Sequence, residues 1–165
     1  MIQVTKHALP LTLMKECLVE SQKQFLGKEL RTNCGWGQEL VQESSPVFIY
    51  DLPDESLKES IVRVIGSVKE VPEFTDTNVM FHYWTRGSYI PWHTDEGYKA
   101  GITIYLNDTW GRDDGGLFLY RENDEIKGLI PEFNMMVVQV GGTDHTVTPI
   151  IRVGAIRASI QIFLK

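Results

Sequence analysis

The sequence predicts an α+β domain in which N-terminal helices are followed by a jelly-roll sandwich or small barrel of about eight strands. Two observations predict this class. Helical periodicity dominates the first 75 residues, and after them the chain becomes a succession of short β-branched and aromatic runs separated by glycines. The length of 165 residues, 42% of them hydrophobic, suits one domain with a core of its own. We therefore expect a single domain over residues 1–165, with 1–75 as a helical support region and 76–165 as the strand core.

Two helices are predicted in the first part. The first is indicated by apolar residues before a stop signal at Gly27: Leu13, Cys17, Val19, Phe25 and Leu26. The second follows the start signal Pro53-Asp54-Glu55 and has apolar residues at helical spacing: Leu57, Ile61, Val64, Ile65 and Val68. Between the helices, residues 47–50 predict a short strand and residues 35–37 an irregular turn. Both helices are expected to cover a sheet.

Eight strands are predicted after residue 76 from runs rich in β-branched and aromatic residues. They cover residues 78–85, 89–94, 100–107, 117–121, 125–130, 134–140, 145–151 and 155–164. Glycines separate these runs, and the doublets Gly115-Gly116 and Gly141-Gly142 predict tight turns. The doublets do not predict a phosphate-binding loop, because neither is followed by a helix with Lys-Ser/Thr.

Composition excludes several classes of protein. The net charge of −6 predicts no nucleic-acid partner. No apolar run reaches the roughly 20 residues that cross a bilayer, and the first residues lack the pattern of a signal peptide, so we expect no membrane association and a soluble cytoplasmic protein. Cys17 and Cys34 are too few for a disulfide framework, and we expect both to be reduced and structural.

Three residues predict a metal site. His93 and Asp95 are two positions apart in a predicted strand, where alternation places both side chains on one face, and His145 follows 52 residues later beside β-branched residues. Two histidines and one carboxylate are typical of non-heme Fe(II) sites, which keep open positions for oxygen and a co-substrate. Taken alone, His-x-Asp is also compatible with a hydrogen-bonded pair near the end of a sheet.

A set of motifs in a fixed order resembles the superfamily of 2-oxoglutarate and Fe(II)-dependent dioxygenases, and most of all its prolyl 4-hydroxylase branch. The matching residues span roughly 78–164. They are Tyr83, Gly87, His93-Thr94-Asp95, Ile104 to Trp110, Gly115-Gly116-Leu117, His145 to Pro149 and Arg157 to Ile160. The resemblance implies a double-stranded β-helix, a fold of the jelly-roll or cupin-like type.

The resemblance also implies roles for individual residues. His93, Asp95 and His145 are the implied iron ligands, and Arg157 is the implied partner of the distal carboxylate of 2-oxoglutarate. Arg152 is the rival for that role, but it falls at a predicted chain reversal, whereas Arg157 begins a strand. Tyr105 and Tyr83 match positions near the co-substrate, although each is equally compatible with a sheet aromatic. Asn107 is interpreted as a turn former.

The function that the resemblance implies is hydroxylation of an unactivated C–H bond with Fe(II), 2-oxoglutarate and O2, releasing succinate and CO2, with ascorbate as a supporting reductant. The first substrate expected by similarity is a prolyl residue of a peptide or protein. Free amino acids and other small molecules stay open. Nucleobase demethylation is disfavoured, because such relatives carry a second arginine where this chain has Phe163. A non-catalytic cupin-like metal-binding protein is the alternative of another class. The sequence does not predict the oligomeric state.

Overall fold

A computed structural model describes residues 1–27, 30–32 and 36–165. The helices of this part are α1 (Leu11–Gly27), α2 (Gln38–Glu43) and α3 (Glu55–Gly66). Cys34 and the first residue of the turn predicted at 35–37 lie outside the described residues, so both predictions stay open. Cys17 is a buried free cysteine, and burial raises the pKa of its thiol to about 12. Within the described residues, no helix is both long and apolar enough to cross a membrane.

Helix α3 begins at the predicted start signal. The Asp54 carboxylate accepts a hydrogen bond from the Leu57 backbone N–H at 3.0 Å, which satisfies one donor of the first turn and contributes about 1 kcal/mol. Its buried residues Leu57, Ile61 and Ile65 recur at helical spacing. All three belong to the hydrophobic cluster on the outer face of the large sheet, so the apolar stripe attaches the helix to that sheet.

The apolar face of α1 differs from the predicted one. Leu13, Met14 and Cys17 are buried, but Val19 and Leu26 are 66% and 77% exposed. The prediction was wrong for these two residues, because a helix advances about 100° per residue and Val19 therefore lies opposite Cys17. The buried face is completed instead by two polar residues, Ser21 and Gln24.

Eleven strands lie in the described residues. They are β1 (Ile2–Lys6), β2 (Arg31–Thr32), β3 (Val47–Asp51), β4 (Thr77–Trp84), β5 (Ile90–His93), β6 (Ala100–Tyr105), β7 (Phe118–Glu122), β8 (Glu125–Leu129), β9 (Met135–Val140), β10 (His145–Val147) and β11 (Arg157–Leu164). From β4 onward, each strand overlaps a run for which the sequence predicts one. Strand β10 is shorter than predicted, because the chain leaves the sheet at Thr148, before Pro149.

The strands form two antiparallel sheets. The large sheet has seven strands in the order β1-β9-β6-β11-β4-β3-β2, and the small sheet has four in the order β5-β10-β7-β8. Strand β11 lies at the centre of the large sheet, where it pairs with β4 on one side and β6 on the other. The protein is thus a mixed α and β structure built mostly of antiparallel sheets.

The first 75 residues contain more than helices. Strand β1 adds to one edge of the large sheet through β9, and β3 pairs with β4 on the other side. Strand β3 overlaps the short strand predicted at residues 47–50, whereas β1 was not predicted. Strand β1 was missed because its alternating run is short, with only Ile2 and Val4 as apolar residues, which is too weak a signal to predict a strand.

Alternation along the central strands divides the interior into two layers. On β4 and β11, one set of side chains, including Phe81 and Ile160, joins the hydrophobic cluster beneath α1 and α3. The other set faces the space between the two sheets, where a second cluster includes Phe118 and Val147 of the small sheet. Polar residues on the inner faces of the strands also line the space between the sheets, and they form the candidate site.

Candidate active site

A cavity of about 220 Å³ lies between the sheets. Its walls come from the inward positions of β4 and β11 in the large sheet and from β5 and β10 in the small sheet. At one end of α2, Trp36 and Leu40 also line it. The predicted metal residues and Arg157 all line this one cavity.

The two imidazoles of the predicted metal site are cross-strand neighbours. His93 ends β5 and His145 begins β10, and the antiparallel register pairs the two residues directly. Their ring centroids are 4.1 Å apart. Residues paired in this way project to the same face of a sheet, so the strand register brings together two side chains that are far apart in sequence.

Asp95 reaches the site by a different route from the predicted one. Strand β5 ends at His93, so Asp95 lies just beyond the strand and strand alternation does not place it. The strand ends there because a turn follows, in which the Tyr98 N–H donates to the Asp95 carbonyl at 3.4 Å. The carboxylate nevertheless lies 3.8 Å from His93 Nε2 and 3.9 Å from His145 Nε2. The structure thus brings together the three residues that the sequence groups, but the alternation of a strand is not the reason for it.

The outer nitrogen of each imidazole is held by the backbone. His93 Nδ1 lies 2.8 Å from the Pro91 carbonyl oxygen, and His145 Nδ1 lies 2.9 Å from that of Thr143. A carbonyl only accepts hydrogen bonds, so Nδ1 must carry the proton in both rings. Each Nε2 atom then carries a free lone pair on the side of the ring nearest the Asp95 carboxylate. Metal-ligating histidines bind through such a nitrogen while their other ring nitrogen is held by a hydrogen bond.

Burial keeps His145 in the form that binds metals. Loss of solvent, followed by the neighbouring His93, lowers the pKa of His145 to about 4, although Asp95 acts in the opposite direction. The imidazole is therefore neutral at neutral pH. A neutral ring does not have to release a proton before it can coordinate a cation.

Gln139 on β9 holds the carboxylate of Asp95. Its side-chain N–H donates to Asp95 Oδ2 at 2.8 Å, and Gln139 is itself buried. Gln139 was not among the residues predicted from the sequence. The available signal was a single amide in the otherwise apolar strand Met135–Val140, at a position whose parity places it in the inner layer.

The residues present fit a divalent transition metal. One ligand atom from each of His93, Asp95 and His145 lies within 4.8 Å of the others. Two imidazole nitrogens and one carboxylate oxygen on one side leave positions open on the other side, as in non-heme iron sites. All three residues line the cavity, so the open positions of a bound metal would face the space of the cavity.

Arg157 lies in the same cavity with 1% of its surface exposed. Its guanidinium carbon is 5.1 Å from the Trp84 ring centre and 4.9 Å from that of Tyr105. Burial lowers the pKa of Arg157, while Tyr105 opposes this effect. An arginine nevertheless stays charged, and no carboxylate of the described residues pairs with it. A buried, unpaired guanidinium calls for an anionic ligand.

Tyr105 takes a position that fits the prediction, and Tyr83 does not. Tyr105 is fully buried beside Arg157, although it is not among the residues that line the cavity, and its hydroxyl has no hydrogen-bond partner of good geometry in the part of the chain that the structure describes. Tyr83 lies on the opposite face of β4 and donates to the Ser21 carbonyl of α1 at 2.8 Å. The prediction for Tyr83 was wrong, because the alternation of β4 points it at the helix layer.

Arg152, the rival of Arg157, lies at the surface. Its guanidinium donates to the Thr109 carbonyl at 2.8 Å and reaches the Asp114 carboxylate at 3.3 Å. Arg152 does not line the cavity. The choice between the two arginines therefore favours Arg157.

Asn107 does more than the turn former that the sequence predicts. Its side-chain N–H donates to the Ile156 carbonyl, and its side-chain oxygen accepts from the Ala158 N–H, both at 2.7 Å. The amide thus extends the pairing of β6 with β11 past the last strand residue. The two bonded groups flank Arg157 in the chain, so Asn107 holds the backbone from which the guanidinium projects.

Comparison with protein-family models gives a match over the strand-rich part of the chain. The family model described as the 2OG-Fe(II) oxygenase superfamily matches residues 79–165. No curated protein is significantly similar to the chain in sequence.

Solved structures share the fold at low sequence identity. A prolyl-4-hydroxylase of Pseudomonas putida is 20% identical with a TM-score of 0.76, covering 99% of this chain and 92% of that one. A prolyl hydroxylase of Trichoplax adhaerens, solved with a peptide of the hypoxia inducible factor oxygen degradation domain, is 16% identical with a TM-score of 0.80, covering 99% and 82%. SnoN, a non-heme alpha ketoglutarate dependent epimerase from nogalamycin biosynthesis, is 12% identical with a TM-score of 0.70, covering 99% and 78%.

Proposed function

Since the chain belongs to the 2-oxoglutarate and Fe(II)-dependent oxygenase superfamily, we propose that it hydroxylates a prolyl residue of a peptide or protein at an unactivated C–H bond. Membership of the family makes the chain a 2-oxoglutarate-dependent non-heme iron dioxygenase that uses Fe(II), 2-oxoglutarate and O2. The alternative of a non-catalytic cupin-like protein is therefore set aside. The observation that carries the oxygenase part of the proposal is the presence of the metal group and Arg157 in one cavity. The prolyl substrate rests on the apolar lining of the cavity and on the similarity in fold to prolyl hydroxylases.

We assign the site residues as follows. His93, Asp95 and His145 hold the iron through two Nε2 atoms and a carboxylate oxygen. Arg157, with the Tyr105 hydroxyl, holds the distal carboxylate of 2-oxoglutarate, because a planar guanidinium binds a carboxylate through two parallel hydrogen bonds. When bound, iron with its co-substrates supplies the oxidising chemistry, in which 2-oxoglutarate becomes succinate and CO2 and one oxygen atom enters the substrate.

The chain's own residues orient these groups and exclude water. The carbonyls of Pro91 and Thr143 and the amide of Gln139 hold the three ligands in place before any metal arrives. Such preorganisation removes the cost of ordering the ligands when metal binds. Buried aromatic side chains surround Arg157, so the ion pair between its guanidinium and the distal carboxylate of 2-oxoglutarate lies in a medium of low dielectric. The attraction between the two charges is stronger there than in water.

Apolar side chains in the lining of the cavity support an apolar substrate group. Tyr98 and Phe163 lie with ring centroids 4.6 Å apart, and Met80 also lines the cavity. A pyrrolidine ring is apolar and compact enough for such a lining. The Pseudomonas and Trichoplax proteins similar in fold are prolyl hydroxylases, and the second was solved with a peptide, which supports a peptide substrate. Phe163 occupies the position where nucleobase demethylases carry a second arginine, which argues against that substrate class.

A free amino acid or other small molecule is the second candidate substrate. The similarity in fold to SnoN favours it, because that protein is described as an epimerase from nogalamycin biosynthesis and not as a peptide hydroxylase. For either substrate, we propose that residues 1–165 act as one domain, with α1 and α3 supporting the large sheet and residues 76–165 providing the double-stranded β-helix core.

The test of the proposed function combines two assays. Succinate release from 2-oxoglutarate is measured with Fe(II) and ascorbate in the wild type and in His93→Ala, and the variant should lose turnover. A peptide library containing proline is then screened by mass spectrometry for products that have gained one oxygen atom. Absence of succinate with every substrate would contradict the oxygenase assignment. Succinate release with small molecules alone, and no oxidised proline peptide, would favour the second candidate.

A further inference from the structure

His82 on β4 is a buried polar residue for which neither the fold nor the assigned site gives a use. It is 4% exposed and lines the cavity. The register pairs His82 with Ser159 on β11, and Ser159 in turn with Tyr105 on β6. Directly paired residues of antiparallel strands share a face, so all three project into the inner layer beside Arg157.

Five buried side-chain atoms in the inner layer around Arg157 lack a hydrogen-bond partner of good geometry in the described chain. They are His82 Nε2, Trp84 Nε1, the Tyr105 hydroxyl, Arg157 Nε and the Ser159 hydroxyl. Leaving a buried polar atom unpaired is energetically costly, so a cluster of such atoms on one sheet face marks a ligand site. All five can donate a hydrogen bond, and the groups of Trp84 and Arg157 can only donate. The missing ligand must therefore be rich in acceptors.

A carboxylate matches this set of donors. Its two oxygens offer about four lone-pair sites, more than one guanidinium fills. His82 takes part as a neutral ring, because burial, followed by the charge of Arg157, lowers its pKa to about 3. A neutral imidazole has one N–H, which donates to an anion without adding a second buried charge beside Arg157.

We propose that His82 is a further co-substrate-binding residue, whose Nε2–H donates to the same distal carboxylate that Arg157 binds. The inference rests on the proposed function, since it takes the carboxylate to be that of 2-oxoglutarate. The competing explanation is that the ring only packs: its centroid is 6.4 Å from that of Trp36 and 6.3 Å from that of Trp84. Packing alone does not distinguish ligands with a distal carboxylate from ligands without one.

The experiment compares two ligands that differ only at that end. Binding of 2-oxoglutarate and of 2-oxopentanoate, which has a methyl group in place of the distal carboxylate, is measured by calorimetry on Zn(II)-loaded protein. Zinc accepts the same ligand types without redox chemistry. The variants are His82→Phe, which keeps a ring of similar size, and His82→Gln, which keeps an N–H donor. Tyr83→Phe is the matched control, because it removes a hydroxyl from the neighbouring residue on the opposite face of β4.

We expect His82→Phe to weaken 2-oxoglutarate binding about tenfold to a hundredfold, as for a hydrogen bond to a charged group, and to leave 2-oxopentanoate binding unchanged. His82→Gln should recover most of the loss, and Tyr83→Phe should bind both acids like the wild type. Unchanged 2-oxoglutarate binding in His82→Phe, or an equal loss for both acids, would overturn the assignment of His82. If the wild type itself fails to bind 2-oxoglutarate, the proposed function fails.

A second measurement needs no variant and decides the matter if His82→Phe does not fold. Nitrogen-15 NMR of the histidine rings in the Zn(II)-loaded wild type reports whether Nε2 of His82 carries a proton and whether it forms a hydrogen bond. Addition of 2-oxoglutarate should shift the Nε2–H resonance of His82, whereas 2-oxopentanoate should leave it in place. The same response to both acids would contradict the proposal.

Discussion

Replacing Gln139 by leucine should weaken metal binding while the three ligands stay intact. In the wild type, the Gln139 amide donates to Asp95 Oδ2 at 2.8 Å, and Asp95 Oδ1 lies 3.8 Å from His93 Nε2. The amide therefore holds the carboxylate plane in the orientation that faces the imidazoles. Leucine has a similar volume but no donor, so the carboxylate of Gln139→Leu is free to turn about its side-chain bonds.

The size of the effect follows from the type of contact. Loss of a group that orients a metal ligand typically weakens metal affinity about tenfold to a hundredfold, which corresponds to about 1.4 to 2.7 kcal/mol at 25 °C. The lower limit applies where water replaces the lost donor. Gln139 is buried with 5% of its surface exposed, so we expect a value in the upper half of this range.

The assay is calorimetric titration of metal-free protein with Mn(II), which takes imidazole and carboxylate ligands as Fe(II) does. Gln161→Leu is the matched control: it is the same change in the same cavity, but Gln161 accepts a hydrogen bond from Thr103 and is not bonded to Asp95. Equal Mn(II) affinity in Gln139→Leu and the wild type would refute the reasoning. An equal loss in both variants would also refute it, since the effect would then come from cavity polarity in general.

Three further predictions follow from the site. Arg157→Lys should weaken 2-oxoglutarate binding about tenfold to a hundredfold with Mn(II) affinity unchanged, whereas Arg152→Lys should change neither, and calorimetry checks both. Gly116→Ala should lower both the free energy of unfolding and the 2-oxoglutarate affinity, because a Cβ there would lie 2.9 Å from Arg157 Cδ. Gly142 also has a positive φ, but no atom lies within 4 Å of an added Cβ, so Gly142→Ala should cost only about 1 kcal/mol of stability in urea titrations. In metal-free protein, the pKa of His82 is about 3, below its usual unfolded value, so the stability that the neutral ring confers is present above about pH 6.5 and is lost as the pH falls. From about pH 7.5 to about pH 5, the free energy of unfolding of the wild type should fall by about 2 kcal/mol more than that of His82→Gln. Equal losses in the two proteins would contradict a buried neutral ring.

Much of the fold was readable from local pattern. Each of strands β4 to β11 overlaps a predicted run, because half-buried strands between glycines carry clear signals in β-branched residues and turns. The exceptions are elements whose pattern is weak. Strand β1 is an edge strand with only two apolar residues, and α2 is only six residues long with no buried side chain. Val19 and Leu26 show that an apolar residue in a helix need not lie on its buried face.

The residues of the candidate site also fall into those that the sequence indicates and those that it does not. Residues whose chemistry is distinctive, such as His93, His145 and Arg157, were proposed from their types and order, and the structure places them in one cavity. Gln139 and His82 were missed, because an isolated amide or imidazole in an apolar strand has meaning only when its neighbours are known. Tyr83 was assigned to the wrong place for a related reason, since a phenol suits both a carboxylate site and a contact with a helix.

The sequence by itself determined which groups are available for chemistry: two imidazoles, a carboxylate and an arginine, in an order that indicates iron and 2-oxoglutarate. The tertiary structure decided which of them meet and what surrounds them. Strand pairing sets His93 beside His145 although 52 residues separate them, and a turn beyond β5 brings in Asp95. The physical reason is that alternation along a strand specifies two faces, but only packing against the helices and the second sheet decides which face becomes the interior.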